Sequence, residues 1–236
     1  MKTLVIIPAY NEEKNIVATV ESLRARCPAL DLLVVNDGSS DATGALCREH
    51  GYPLAELPVN LGIGGSVQTG YRYALARGYD AAVQLDADGQ HRPEDIPALL
   101  APLERGEADL VIGSRFLDRG GFRSSPARRL GIGFLSALVR ALCGVEVRDV
   151  TSGLRAADRA VIAFFAREYA QDYPEPESVL AAGMEGFRIR EIGVEMRPRQ
   201  GGESSITPIR GLYYMIKVSL ALLLRRVLER RKTHAE

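Results

Sequence analysis

Short apolar runs at residues 3–8, 32–36, 81–86 and 109–114 alternate with stretches of helical periodicity, and this alternation most constrains the fold. Strands separated by helices lead to an open α/β sheet, mostly parallel and flanked by helices, because parallel neighbours need a crossover and a helix supplies it. Residues 12–26 carry Ile16, Val20 and Leu23 at helical spacing, and Asp41 reads as the N-cap of a second helix. Pro93 and Pro97 suit the first turn of a helix running to Glu104. In such sheets ligands bind beyond the carboxyl ends of the strands. Three polar clusters fall there: 8–12, 36–39 and 86–90.

The last cluster, Asp86-Ala87-Asp88-Gly89-Gln90, follows an apolar strand with two carboxylates and an amide. In an extended segment alternate side chains share a face, so Asp86, Asp88 and Gln90 could offer oxygen to a hard divalent cation, with Gly89 permitting a tight turn. A solvated acidic turn would have the same sequence. Pro8-Ala9-Tyr10-Asn11-Glu12 offers an aromatic face and polar groups that suit a nucleobase, while Asn11 could equally be an N-cap. Asp37, at the end of the second strand, could accept from base or ribose, or simply cap a turn. Asn60 to Gly65 brings three glycines to a helix start, where either phosphate approach or tight packing would use them.

With 236 residues the chain can bury a substantial core as one domain with an appendage. Its formal charge of zero speaks against nucleic acid as a partner. Three scattered cysteines lack the spacing of a zinc site or disulfide framework and fit a reducing cytoplasm. Residues 1–9 enter a strand without the long apolar core of a secretory signal, and Lys217 interrupts the best candidate for a membrane span.

Taken in order, residues 8–12, 36–39, 60–65, 86–91, 113–115, 149–155 and 199–204 resemble the family 2 glycosyltransferases of GT-A fold, and among them the polyprenyl-phosphate glycosyltransferases of the dolichyl-phosphate mannose synthase type. The resemblance covers nearly the whole chain. It implies a nucleoside site at Pro8, Tyr10, Glu12 and Asp37, with Asp86 beside it. Mg²⁺ or Mn²⁺ on the donor diphosphate would be held by Asp86, Asp88 and Gln90. Arg115, one of Arg128 or Arg129, and Arg199, with Ser204, would take the acceptor phosphate. The implied reaction transfers a sugar from a nucleotide sugar to polyprenyl phosphate, with inversion, because one in-line displacement swaps the face of the sugar. Asp88, Arg115, Asp149 and Glu177 form the expected catalytic set. Family members often carry Gly-x-Ser-Lys where this chain has Gly202-Glu203-Ser204-Ser205, which removes one phosphate contact.

Tyr173-Pro174-Glu175-Pro176-Glu177 stands where relatives acting on hydroxyl acceptors place their base, so Glu175, Glu177 or Asp149 could deprotonate a hydroxyl of a lipid-linked or cell-wall glycan instead. Helix initiation would also explain that stretch. A non-catalytic nucleotide-sugar scaffold is the alternative outside enzymology. Arg115, Arg119, Arg123, Arg128 and Arg129 precede an apolar helix candidate at 132–142. Within 208–236, set apart from a glycosyltransferase domain at 1–207, Leu212, Met215, Ile216, Ser219, Leu220, Leu223 and Val227 fall near helical spacing ahead of a basic cluster. That pattern suits a helix on an anionic membrane surface, and equally one packed on the core, on a second copy or on an integral-membrane partner. The expected location is the cytoplasmic face of the membrane.

Overall fold

The computed structural model describes residues 1–117, 126–196 and 208–233, and of those the side chains of all but 127, 208–212 and 229–233. Seven strands form one sheet: β1 (Thr3–Ala9), β2 (Asp31–Asn36), β3 (Leu54–Glu56), β4 (Ala81–Gln84), β5 (Leu110–Ser114), β6 (Arg155–Asp158) and β7 (Ile189–Gly193), in the order β3-β2-β1-β4-β6-β5-β7. All pairings are parallel except those of β6 with β4 and β5. The helices are α1 (Ile16–Arg26), α2 (Thr43–Glu49), α3 (Gly62–Ala76), α4 (Ile96–Glu104), α5 (Pro126–Cys143), α6 (Arg159–Arg167), α7 (Pro174–Met184) and α8 (Pro208–Thr233).

Continuous apolar runs become strands here because both faces of the sheet are covered. Along β1, Val5, Ile7 and Ala9 pack with α1 and α4 residues such as Ile16, Val20 and Leu99, while Leu4 and Ile6 face Val67 and Tyr71 of α3 and Phe165 of α6. A third cluster joins Leu135 and Val139 of α5, Val179 and Leu180 of α7, and Val218 and Leu222 of α8. The C-terminal helix therefore shares its core with the preceding domain.

Several boundaries shift for local reasons. The first helix begins at Ile16 rather than 12, after a turn in which Glu12 C=O accepts from Asn15 and Ile16 N–H. Asp41 lies one residue before the N-cap Ala42, yet its Oδ1 still accepts from Thr43 N–H at 2.9 Å. Pro93 opens a 3₁₀ turn over Pro93–Asp95, and α4 starts only at Ile96. Asn11 does not cap a helix. It takes a left-handed φ of 55°, tolerated by Asn, and its Oδ1 accepts from Ser40 N–H at 2.9 Å while Ser39 Oγ accepts from Asn11 N–H at 3.0 Å.

The reversal of β6 positions the site. Gln84 at the end of β4 and Ile112 near the end of β5 both pair with Arg155 at the start of β6. Because β6 runs backward, the segment entering it, 149–154, arrives at the edge where β1, β2, β4 and β5 leave.

Candidate active site

A cleft of about 530 Å³ opens along that edge, lined by Pro8, Ala9, Tyr10, Glu12, Asp37, Asn60, Gly62, Ile63, Ser66, Asp86, Ala87, Asp88 and Glu175. Its β1–β2 end is braced by Asn11 and its serine partners. Tyr10 is 49 % exposed and presents its ring to solvent. Asp37 is buried, and its Oδ1 accepts from Leu61 N–H at 2.7 Å, so this carboxylate also fixes the loop into α3. The glycines of that loop serve mainly close packing: a Cβ on Gly64 would lie 2.0 Å from Ala170 C=O, and Gly64 N–H donates to Gln171 C=O at 3.1 Å.

In the middle of the cleft the strand ends before Asp86, and the chain turns rather than staying extended. Gly89 has φ 72°, and Asp88 Oδ1 accepts from Gln90 N–H at 3.0 Å. This turn ends the two-residue alternation, so Asp86 and Asp88 line the cleft while Gln90 does not. Asp86 is gripped from behind. Its Oδ2 lies 3.3 Å from His91 Nε2, its Oδ1 accepts from Gln84 Nε2 at 3.5 Å, and Tyr169 Oη donates to Gln84 Oε1 at 3.4 Å. Burial alone would raise the Asp86 pKa, but the His91 and Gln84 hydrogen bonds and the Arg115 charge together hold it below the ordinary value. Asp86 is therefore a carboxylate at neutral pH. Gly153 sits against it, where a Cβ would fall 2.4 Å from Asp86 Oδ2.

The donor set in the cleft is all oxygen, which fits Mg²⁺ or Mn²⁺. Among the described residues no three His, Cys, Asp or Glu side chains converge on one point. Two cleft carboxylates suit a cation that takes its remaining ligands from water and a diphosphate, rather than one caged by protein.

Beyond Asp86 stand the basic groups. Arg115, just past β5, is buried: its Nε donates to Asp149 Oδ2 at 2.7 Å, its Nη2 to Asp149 Oδ1 at 2.6 Å, and its backbone N–H to Asp149 Oδ2 at 3.0 Å. Thr151 Oγ1 accepts from the same Nη2 at 2.7 Å. Glu191 on β7 fixes the segment in turn, accepting Arg148 and Asp149 N–H at 2.8 Å each. Asp149 is fully buried with both oxygens on Arg115, which is the geometry of an anchor. At the start of α5, Arg128 is exposed, yet partial desolvation and the Arg115 charge depress its pKa, with Asp149 opposing. Arg129 is exposed. The expected residues Arg199 and Ser204, together with Arg119 and Arg123, lie outside the described residues.

Glu175 reaches the cleft and Glu177 does not. Residues i and i+2 of a helix are separated by roughly 200° around the axis, so only one of Glu175 and Glu177 can face the cleft. Glu177 lies toward Arg225, Asp172 and Lys217. Arg155, Gly153, Gln84 and His91 received no role from the sequence. Arg155 is buried, with Nη1 donating to Ser178 Oγ at 2.6 Å, Nε to Ser152 C=O at 2.7 Å and Nη2 to Val150 C=O at 2.9 Å. It ties the 149–154 segment to α7. The available signal was an arginine beside a short apolar run, a residue that enters a buried strand only when its donors are satisfied.

On α8, Val218 and Leu222 are buried, whereas Tyr213, Ile216, Leu220, Leu223, Leu224, Val227 and Leu228 are 45–60 % exposed or slightly more. Lys217 pairs with Asp172 and Arg225 with Glu168. Leu212 and the basic residues Arg230, Arg231 and Lys232 have no described side chains. Among the described residues no helix is long and apolar enough to cross a membrane.

The family model for glycosyl transferase family 2 matches residues 4–165. An undecaprenyl-phosphate mannosyltransferase of Micrococcus luteus is 35 % identical over 217 residues, covering 88 % of each chain. A polyprenol monophosphomannose synthase of Mycolicibacterium smegmatis is 40 % identical over 168 residues, 68 % of this chain, but the match spans only 63 % of that protein. Glucosyl-3-phosphoglycerate synthase from Mycobacterium tuberculosis, solved with Mn²⁺, UDP and phosphoglyceric acid, superposes with TM-score 0.70 at 25 % identity, covering 95 % of this chain and 78 % of that one. The fold is thus that of the GT-A enzymes, and the chain belongs to glycosyltransferase family 2 and is a glycosyltransferase.

Proposed function

We propose that this enzyme transfers a sugar, with inversion and with a divalent cation, from a nucleotide sugar to polyprenyl phosphate at the cytoplasmic face of a membrane. The observation that carries the reading is that Asp86 and Asp88 line the cleft while the buried Arg115 lies in electrostatic range of Asp86, and Arg128 in range of Arg115. The carboxylates suit a cation-bound diphosphate, and the guanidinium groups nearby suit a second phosphate. The names of the M. luteus and M. smegmatis relatives support a polyprenyl phosphate acceptor.

Tyr10, Glu12 and Asp37, with Pro8, would hold the nucleoside. Asp86 and Asp88 would hold Mg²⁺ or Mn²⁺, with Gln90 lying just outside the cleft lining; when bound, the ion supplies positive charge where the departing diphosphate gains negative charge. An oxygen of the acceptor phosphate attacks the anomeric carbon as the bond from that carbon to the diphosphate breaks, and the nucleoside diphosphate leaves. The attacking group is already an anion, so no proton has to be removed. Arg115, held by Asp149, orients it with Arg128, whose charge lies in electrostatic range of Arg115 and Asp149; Arg129, Arg199 and Ser204 remain part of the proposed phosphate site. Transfer to a hydroxyl would instead require a base in the cleft, a position held by Glu175 and not by Glu177 or Asp149.

The exposed apolar face of α8 would rest on the membrane and bring the cleft to a lipid-borne acceptor. Activity with Mn²⁺, measured for wild type and Asp88→Ala, tests the donor half: the substitution is expected to abolish metal-dependent turnover, and unchanged turnover would remove the metal role.

A further inference from the structure

Glu175 is a carboxyl group that the transfer just described does not use. It stands in the first turn of α7, flanked by the buried Pro174 and Pro176, and lines the cleft beside Asp86 and Asp88. Its position is fixed through the backbone: Ser178 Oγ donates to Glu175 C=O at 3.0 Å and accepts from the buried Arg155. Among the described residues, no hydrogen bond from another residue holds the carboxyl. Desolvation raises its pKa, Arg155 opposes, and the Asp86 charge adds to the rise. A half-buried acid beside another carboxylate, without a hydrogen-bonding neighbour, costs stability and marks a site for a ligand group.

The order of the cleft identifies that group. From β2 through β1 to β4 it passes from Asp37 and Tyr10 to Asp86 and Asp88, and Glu175 enters from the α7 side beyond β4. A nucleotide sugar laid along it has its nucleoside at the first end, its diphosphate over the aspartates and its sugar next to Glu175. We propose that Glu175 reads the hydroxyl groups of the donor sugar and so sets which sugar is transferred. A carboxylate accepts from two adjacent hydroxyls at once, and a site built on such bonds rejects a sugar that misplaces one of them. The assignment rests on the donor reading above; with an anionic acceptor, no base is needed at this position.

Titration calorimetry in Mn²⁺ tests it, using UDP, GDP and dTDP alone and as their glucose, mannose and N-acetylglucosamine derivatives, on wild type, Glu175→Gln and Glu175→Ala. The same sugars then compete for transfer to polyprenyl phosphate. In both variants the nucleoside diphosphate should bind within about twofold of wild type, which also shows that they fold. In Glu175→Ala the added affinity from the preferred sugar and the discrimination between sugars should each fall at least about tenfold, with Glu175→Gln intermediate. Unchanged discrimination with a collapsed kcat would make Glu175 a base and overturn the proposal. Equal loss of diphosphate and nucleotide-sugar binding would make it a holder of metal or diphosphate, with the same consequence. Wild-type protein that binds none of the diphosphates would overturn the donor reading itself, and this assignment with it.

Discussion

Arg115 and Asp149 meet side-on, with two guanidinium nitrogens on two carboxylate oxygens at 2.7 and 2.6 Å, and their side chains are 5 % and 0 % exposed. Removing one member of a buried pair leaves the other charge uncompensated, which typically costs about 3–5 kcal/mol. Asp149→Ala should therefore lower stability by that order in chemical denaturation, far more than a surface substitution. Asp149→Asn keeps one acceptor for Arg115; it should lose less stability yet raise the KM for a phosphate acceptor while leaving the donor KM nearly unchanged. Equal effects on both KM values would contradict the anchoring role.

Gly153→Ala tests the grip on Asp86. The new Cβ would fall 2.4 Å from Asp86 Oδ2, so the carboxylate has to move. A displacement near 1 Å in a reacting constellation can cost roughly 100-fold in rate, and a loss of that order in metal-dependent turnover is expected, with the circular dichroism spectrum unchanged. Wild-type turnover would show that Asp86 need not sit where the structure holds it.

Glu175 should leave a mark on the pH dependence of stability. Its folded pKa lies above the ordinary value of 4.5, raised by burial and by Asp86 against the charges of Arg155 and Arg115, with Tyr169 and Tyr214 also in electrostatic range. Between the unfolded and folded pKa values the native state holds more protons, so this group's contribution to stability falls as pH rises through that window. Glu175→Gln removes the penalty. Its Tm should exceed that of wild type at neutral pH, and the difference should shrink as pH falls below the ordinary carboxylate range. A Tm gap independent of pH would contradict the shift.

The two sides of α8 predict opposite outcomes. Ile216→Ser, Leu220→Ser and Leu223→Ser combined lie on the exposed face, where surface changes usually stay within about 0.5 kcal/mol each, and should reduce sedimentation with anionic liposomes while the fold persists. Leu222→Ala, in the buried stripe, should cost about 2–5 kcal/mol. Undiminished liposome binding by the triple variant would sink the membrane role of this face. Deleting the helix would not separate the two effects, because Val218 and Leu222 belong to the core.

Much of this was legible in the sequence because parallel strands buried on both faces are apolar throughout, and a polar cluster marks where each one ends. Four strands and the tips at Tyr10, Asp37 and Asp86 follow from that rule. Strand β6 does not: Arg155-Ala156-Ala157-Asp158 has no alternation, and its reversal depends on pairing with β4 and β5. That reversal carries Asp149, Gly153 and Arg155 to the site; the resemblance implies a site role for Asp149, but its bond to Arg115 and the work of Gly153 as spacer and Arg155 as brace were invisible. An extended chain would set Gln90 beside the two aspartates; the turn at Gly89 takes that ground away and leaves the metal role of Gln90 to the family resemblance. Between Glu175 and Glu177 the sequence leaves a choice that the phase of α7 makes.

The central claim is that the acceptor is a phosphate, met by Arg115 and its basic neighbour Arg128. Its most direct test is mass spectrometry of the lipid product after incubation with labelled nucleotide sugars, Mn²⁺ and either a short polyprenyl phosphate or the corresponding polyprenol. The account predicts a glycosylated product from the phosphate alone, with the sugar on the phosphate; product from the alcohol, or transfer only to glycan hydroxyls, would contradict it.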